Sequence, residues 1–339
     1  MRGFRFPTLV VIGLLVALFT CSAQQPTQSL PTPPSPQQQP ATSTAAPVPA
    51  REQIRSTVGF LGVNYLNGAT QGGVIGTCFF VFVPDPRLGA NQGFVYLVTN
   101  RHVAQPGIDL GTPYQVQSLL LRMNLVNPEH GVKSIAEHVP LGGQMHWIFP
   151  SDDAVDLAIL PIAPDLKRYA YLSIPLNIIA GPELRKDDRI GVGDPVIFAG
   201  FFSSFSGQTR MEPIVRQGVI AMLPEEKLDT TLHKKGQLIL ADLHAFHGNS
   251  GSPVFANVGG MRPGGFYVGD NYILLGIISG YYPESAGFTV PAATVLTGEV
   301  RDNSGIATVV PGDELIKLLN SPAVQADRDK SVASLTKKP

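Results

Sequence analysis

From Ser56 onward the chain is cut into short apolar runs, rich in β-branched and aromatic residues and separated by Gly, Pro and Asn. That texture restricts it to architectures built from strands. Val74-Ile-Gly-Thr-Cys-Phe-Phe-Val-Phe-Val83 and Gly93-Phe-Val-Tyr-Leu-Val-Thr99 are the clearest runs. Similar ones lie at Leu157–Leu160, Val196–Ala199, Ile214–Met222, Gln237–Ala241, Pro253–Ala256, Tyr272–Ser279 and Ile306–Val310. Runs of this length without regular strand–helix alternation predict barrels or sandwiches. Only Asp313-Glu-Leu-Ile-Lys-Leu-Leu-Asn320 predicts a helix, with Asp313 as its cap, Leu315, Ile316 and Leu319 on one face and Pro322 past its end. The polar stretch 323–339 predicts a flexible tail.

The segments ahead of the body read differently. Arg2 and Arg5 precede the apolar run Leu9–Leu18, which is too short to cross a bilayer core of roughly 30 Å at about 1.5 Å per helical residue. Residues 1–23 therefore predict a signal peptide and export to the periplasm or the medium. Cys21-Ser-Ala23 has the small–x–small form of ordinary cleavage, whereas Leu18-Phe-Thr-Cys21 resembles a bacterial lipobox that would leave Cys21 as a lipid anchor. Residues 24–50 are rich in Pro, Gln, Ser and Thr, and predict a disordered linker because they bury too little apolar surface to offset chain entropy.

Charge and cysteine usage narrow the function classes. The 339 residues carry 25 Lys+Arg against 26 Asp+Glu, so no basic surface points to nucleic acid. Two cysteines exclude a disulfide scaffold and a four-cysteine zinc module.

Three stretches carry chemistry. Gly248-Asn-Ser-Gly-Ser-Pro253 flanks a serine with glycines, which permits a tight bend and the close approach of a carbonyl. Such a bend can aim successive N–H groups at a developing oxyanion. Val98-Thr-Asn-Arg-His-Val103 puts a histidine just past an apolar strand, and Val155-Asp-Leu-Ala-Ile-Leu160 puts a carboxylate at the edge of another. A serine hydroxyl needs a base to attack at neutral pH, and an imidazole serving as that base needs an acceptor on its other nitrogen.

In the order His102, Asp156, Ser250, these motifs resemble those of chymotrypsin-like (trypsin-like) serine proteases, and more narrowly the exported bacterial peptidases of that clan. Gly76–Val81, Val192–Gly200 and Leu275–Gly280 resemble further strands of the same family, so the likeness runs from about Ser56 to Asn320. It implies an all-β fold of two antiparallel six-stranded Greek-key barrels with a short C-terminal helix. Residues 51–187 would form the N-terminal barrel carrying His102 and Asp156, and residues 188–322 the C-terminal barrel carrying Ser250. It implies peptide-bond hydrolysis through an acyl-enzyme without a cofactor, on a peptide or protein substrate, with the N–H groups of Gly248 and Ser250 as oxyanion donors. A catalytically silent protease-like domain that binds peptides or proteins is the alternative.

Departures from the family pattern bear on activation and specificity. Asn249 replaces the aspartate that pairs with a new amino terminus in the digestive enzymes, Asn100-Arg101 replaces paired alanines, and Ser252 replaces a glycine. At the position that sets the floor of the primary pocket stands His244, either a recognition group for acidic or polar side chains or a satisfied core histidine. Ser279, Gly280 and Tyr281 would border that pocket. Asp152 and Asp153 are rival acids in a polar turn. Asp242, His244 and His247 offer a zinc alternative that strand geometry disfavours. His130, His138 and His146 fall in a Gly/Pro-rich stretch expected to be an exposed loop, and Trp147 is expected to pack.

Overall fold

The structure, a computed structural model, describes residues 48–126, 136–141, 146–182, 190–262, 265–267, 269–290 and 296–336. The expected signal peptide, almost all of the linker and His130 lie outside them. A short helix α1 (Ala50–Arg55) opens the body. The first sheet comprises β1 (Val58–Asn67), β2 (Thr70–Pro84), β3 (Gly93–Thr99), β4 (Gln115–Asn124), β5 (Ala136–Leu141), β6 (Ala158–Pro161) and β7 (Ser173–Pro175), with the short helix α2 (Arg101–Ala104) directly after β3. Its strand order is β5-β4-β1-β2-β3-β6, antiparallel throughout, and β7 adds in parallel to β2.

The second half contains β8 (Pro195–Gly200), β9 (Ile214–Met222), the ribbon β10 (Leu228–Asp229) and β11 (Lys235–Gly236), β12 (Ile239–Asp242) and β13 (Pro253–Asn257). The ribbon β14 (Gly260–Arg262) and β15 (Gly265–Tyr267) follows, then the long strands β16 (Tyr272–Val290) and β17 (Leu296–Pro311). Six of these strands close into a barrel in the order β12-β17-β16-β13-β8-β9. The two-barrel, all-β architecture is therefore present, with one difference of detail. Among the described residues the first sheet is a half-barrel, because the outer edge of β6 is bridged by Ile148 and not by β5.

Alternation along β2 explains its unbroken apolar sequence. Phe79, Val81 and Val83 face one core, while Cys78, Phe80 and Phe82 face the interior of the first sheet, as the two-residue period of a strand requires. The former core is shared by both halves: Val58, Val98 and Leu157 meet Ile197, Phe255, Leu274 and Val310 there. Asp156 and Ser250 are thereby held by two sheets packed on one apolar layer. Cys78 is buried and unpaired, and burial pushes its thiol well above the usual range, as befits a small apolar residue.

The carboxyl-terminal segment departs from expectation twice. The first helix, α3, spans Gly312–Leu319 with Pro311 at its cap position, so Asp313 lies inside the first turn, 3.4 Å from Lys317, and does not cap it. Its negative charge there complements the helix amino terminus. Residues 322–336 are not a frayed tail but a second helix, α4 (Pro322–Thr336). Val324, Arg328 and Val332 recur every four residues on one face and are buried. Val324 joins the shared core, Arg328 donates to Leu319 O, and Asp329 accepts from Arg87 of the first half at 2.6 Å. Val324→Ala should lower unfolding free energy by about 2 kcal/mol, against a change within roughly 0.5 kcal/mol for exposed Lys330→Ala. Urea titration of both variants distinguishes docking from fraying, since a frayed helix would make them equal.

Candidate active site

His102 sits in the first turn of α2, started at Asn100, whose backbone is still extended. The buried Asn100 amide donates to Asp156 O at 2.8 Å, tying the start of α2 to the chain ahead of β6. The Asp156 side chain, 1% exposed, receives His102 N–H on Oδ1 at 3.0 Å and His102 Nδ1–H on Oδ2 at 2.7 Å. A carboxylate only accepts, so Nδ1 carries the proton and Nε2 is the free base. Ser279 Oγ, at 2.6 Å, donates a third bond to Asp156 Oδ2. Having spent its one proton, Ser279 must accept from Thr231 Oγ1 at 2.7 Å.

Ser250 enters from the second barrel. Its hydroxyl donates to Ser279 O at 3.3 Å, and its own carbonyl accepts from Thr77 N–H at 2.8 Å. An ideal Cβ on Gly76 would lie 2.8 Å from Val103 and 3.3 Å from Ser250 O, so the neighbour of His102 and the serine backbone meet over the same residue. His102, Asp156 and Ser250 thus belong to one network bridged by Ser279. Among the described residues no hydrogen bond joins Ser250 to His102 directly, a distance that often closes only when substrate is bound.

The loop around Ser250 is bent by two glycines in the left-handed region. Gly248 has φ +91° and Gly251 φ +86°, and an added Cβ would stand 2.4 Å from Phe201 and 2.0 Å from Thr77 O respectively. The N–H groups of Asn249, Gly251 and Ser252 are bonded to Phe246, Ile278 and Asn249 carbonyls. Those of Gly248 and Ser250 have no partner among the described residues. Two donors with unspent capacity, one of them the serine's own N–H, therefore lie at the serine loop. Buried Asn249 fixes this shape from within: its Oδ1 accepts from Phe246 N–H at 2.8 Å and its Nδ2 donates to Phe201 O at 2.6 Å.

Opposing forces set the protonation of the pair. Burial pushes His102 down, but the charge and hydrogen bond of Asp156, helped by Asp109, outweigh it and leave the imidazole above its ordinary value. Burial pushes Asp156 up, yet the His102 charge and bond, the Ser279 hydroxyl and the His102 N–H together leave it below the usual carboxylate range. The two groups hold each other charged when His102 takes a proton.

The other sequence-predicted residues fall as follows. His244 is exposed and not a core histidine; its ring lies against Gly305 and is stacked 6.5 Å from Phe246. Gly280 faces Thr231 and Thr308, and Tyr281 meets His247 edge-on at 6.1 Å. Asp152 accepts from Ala154 N–H within its turn, and exposed Asp153 pairs with Lys234. Among the described residues Asp242, His244 and His247 do not converge as a ligand set. His138 stands on β5 and so is strand, not loop; His146 is exposed; Trp147 packs against the interior of the first sheet. Arg101 turns away from His102, lying 4.9 Å over the Phe149 ring with its Nε on Gln105. Sequence reasoning missed the contribution of Ser279 to the carboxylate, and with it Asn100, Thr77 and Thr231, because each acts through contacts that only the fold creates.

Comparison with known proteins adds three findings. A model of the trypsin-like peptidase domain matches residues 76–261, more than half of the chain and a span that includes all three candidate residues. A solved HtrA-type protease with a decapeptide matches at 15% identity and a TM-score of 0.43, with 79% of this chain covering 64% of that one. No curated protein sequence matches.

His102 is expected to titrate above the ordinary histidine value of about 6.5, and Asp156→Asn to lower it, because the neutral amide removes the attraction and leaves the burial. Proton NMR of the imidazole across pH reads both. A His102 value unchanged by the substitution would show that the carboxylate does not govern the ring.

Proposed function

The chain belongs to the trypsin-like peptidase family, and from that membership we propose that it is an exported serine endopeptidase working through His102, Asp156 and Ser250. The observation that carries this reading is the buried Asp156 carboxylate, whose three accepted bonds orient the imidazole and reach Ser279, the acceptor of the Ser250 hydroxyl. In the proposed reaction Ser250 Oγ swings from Ser279 O toward His102 Nε2 and gives up its proton there. It attacks the scissile carbonyl carbon, forming a tetrahedral oxyanion that accepts from the N–H groups of Gly248 and Ser250. The imidazolium passes its proton to the departing amine and the acyl-enzyme forms; water, deprotonated by the same nitrogen, then releases the acid.

Rate should rise with pH as His102 loses its proton, with a midpoint displaced upward by Asp156. Asn249, neutral and already bonded at both ends, supports a serine loop that is shaped without an ion pair to a newly cut amino terminus. The primary pocket would be bordered by His244, Gly280 and Tyr281, whereas Ser279, expected beside them, is buried with its hydroxyl committed to Asp156. With no carboxylate at the His244 position, preference for Lys or Arg has no support. Among the described residues no helix is long and apolar enough to cross a membrane; export rests on the amino-terminal signal and attachment on Cys21.

A fluorophosphonate probe should label the folded protein stoichiometrically, and Ser250→Ala should abolish labelling. Ser250→Ala and His102→Ala should each lower kcat on a cleavable peptide by about a millionfold. Folded wild-type protein that resists the probe would instead favour the peptide-binding, catalytically silent alternative.

A further inference from the structure

We propose that Arg122, on β4 of the first sheet, is a positioning residue that sets the Gly248–Ser250 backbone through the loop joining β8 to β9. The inference rests on the reading of Ser250 as the nucleophile and adds what holds its oxyanion donors in register with His102. Those donors sit on the second barrel and the base on the first sheet. A catalytic constellation tolerates about 0.5 Å of error, so something must fix one half against the other close to the reacting atoms.

The Arg122 guanidinium reaches across that boundary. Nη1 donates to Ser206 O and Ser206 Oγ, both at 3.2 Å, and Nη2 donates to Gly207 O at 2.8 Å and, more weakly, to Gln208 O and Arg210 O at 3.4 Å. A planar fork of donors can gather the carbonyls of a curled loop in a way that an ammonium point charge cannot. No carboxylate pairs with Arg122 among the described residues, and burial draws its pKa down. The loop's carbonyl dipoles are what receive this cation.

Neighbouring contacts reinforce the grip. Asn124 lies two residues on, on the same strand face. It exchanges two bonds with buried Met211, donating to its carbonyl at 3.1 Å and accepting from its N–H at 2.8 Å. Phe60, the β1 partner of Arg122, meets Phe201 edge-on at 5.1 Å. Phe201, the first residue of the loop, is the wall against which the serine loop is set. Its ring stands where a Cβ on Gly248 would be, its carbonyl receives the Asn249 amide at 2.6 Å, and its N–H donates to Thr77 Oγ1 at 2.9 Å. Thr77 Oγ1 in turn donates to Gly248 O at 2.8 Å. Arg122 thus grips the loop that Phe201 begins, and hydrogen bonds and ring contacts run from Phe201 and Thr77 to Gly248 and Asn249.

The test uses the full body of the protein with Arg122→Ala, Arg122→Lys and Asn124→Ala, each checked for a cooperative melt. Three readouts are taken: kcat and KM on a cleavable peptide, fluorophosphonate labelling, and amide hydrogen exchange over segments 201–213 and 246–252. Arg122→Ala should lower kcat on the order of 100-fold with KM changed less than about threefold. Arg122→Lys should be intermediate, Asn124→Ala should show the same split with a smaller loss, and exchange should quicken in both segments. If Arg122→Ala does not fold, Arg122→Lys and Asn124→Ala carry the same comparison. Faster exchange confined to 201–213 with kcat unchanged would overturn the proposal, leaving Arg122 as a local stitch. If the wild type resists the probe, the reading of Ser250 fails by itself, and exchange at 246–252 still decides whether the clasp reaches that loop.

Discussion

The arrangement around Asp156 depends on removing one anion from water. A buried carboxylate is tolerable only when its oxygens are occupied by donors, and here those donors come from α2, from the backbone of His102 and from β16. Because β3, which leads into α2, belongs to the first sheet and β16 to the closed barrel, satisfying this single group requires both halves to be packed on their shared core. The same geometry that meets the desolvation penalty fixes the imidazole tautomer. Burial of the carboxylate and orientation of the imidazole are therefore coupled at this point.

Around that centre the serine loop obtains its shape from neutral groups. Asn249 and Thr77 use side-chain amide and hydroxyl bonds, the two flanking glycines allow backbone angles that other residues resist, and Phe201 fills the space that an absent Cβ leaves. None of these contacts involves a charged pair that salt would screen. The side bearing His244 is more open. His244 and Phe246 are exposed beside the serine loop, and the ribbon carrying Thr231 reaches in to touch Ser279.

Much of this was legible in the sequence because strands and reactive motifs leave local marks. Ile214–Met222 and Gly93–Thr99 coincide with β9 and β3, since an apolar run bounded by turn residues has few other uses. Val58–Asn67 and Gln115–Asn124 were missed as strands because polar residues interrupt them where they face water. α4 was missed for a related reason: three buried side chains spaced by four in a polar stretch give too sparse a pattern to register as an amphipathic helix. Asp156 was identifiable as the desolvated acid, but the groups that complete its environment lie as far off as Ser279, 123 residues along the chain. His244 stayed open between a recognition group and a core histidine because Leu243 and Ala245 beside it are apolar and buried; alternation turns the residue between them outward.

The placement of α4 also bears on the order of assembly. Though it follows the closed barrel in sequence, its Asp329 joins Arg87 of the first half and its Val324 enters the common apolar layer. The amino-terminal sheet consequently stays incompletely covered until the polypeptide beyond Leu319 has arrived, so a nascent molecule would present apolar surface to chaperones. Folding of this protein should accordingly behave as a single late cooperative event rather than as two successive ones.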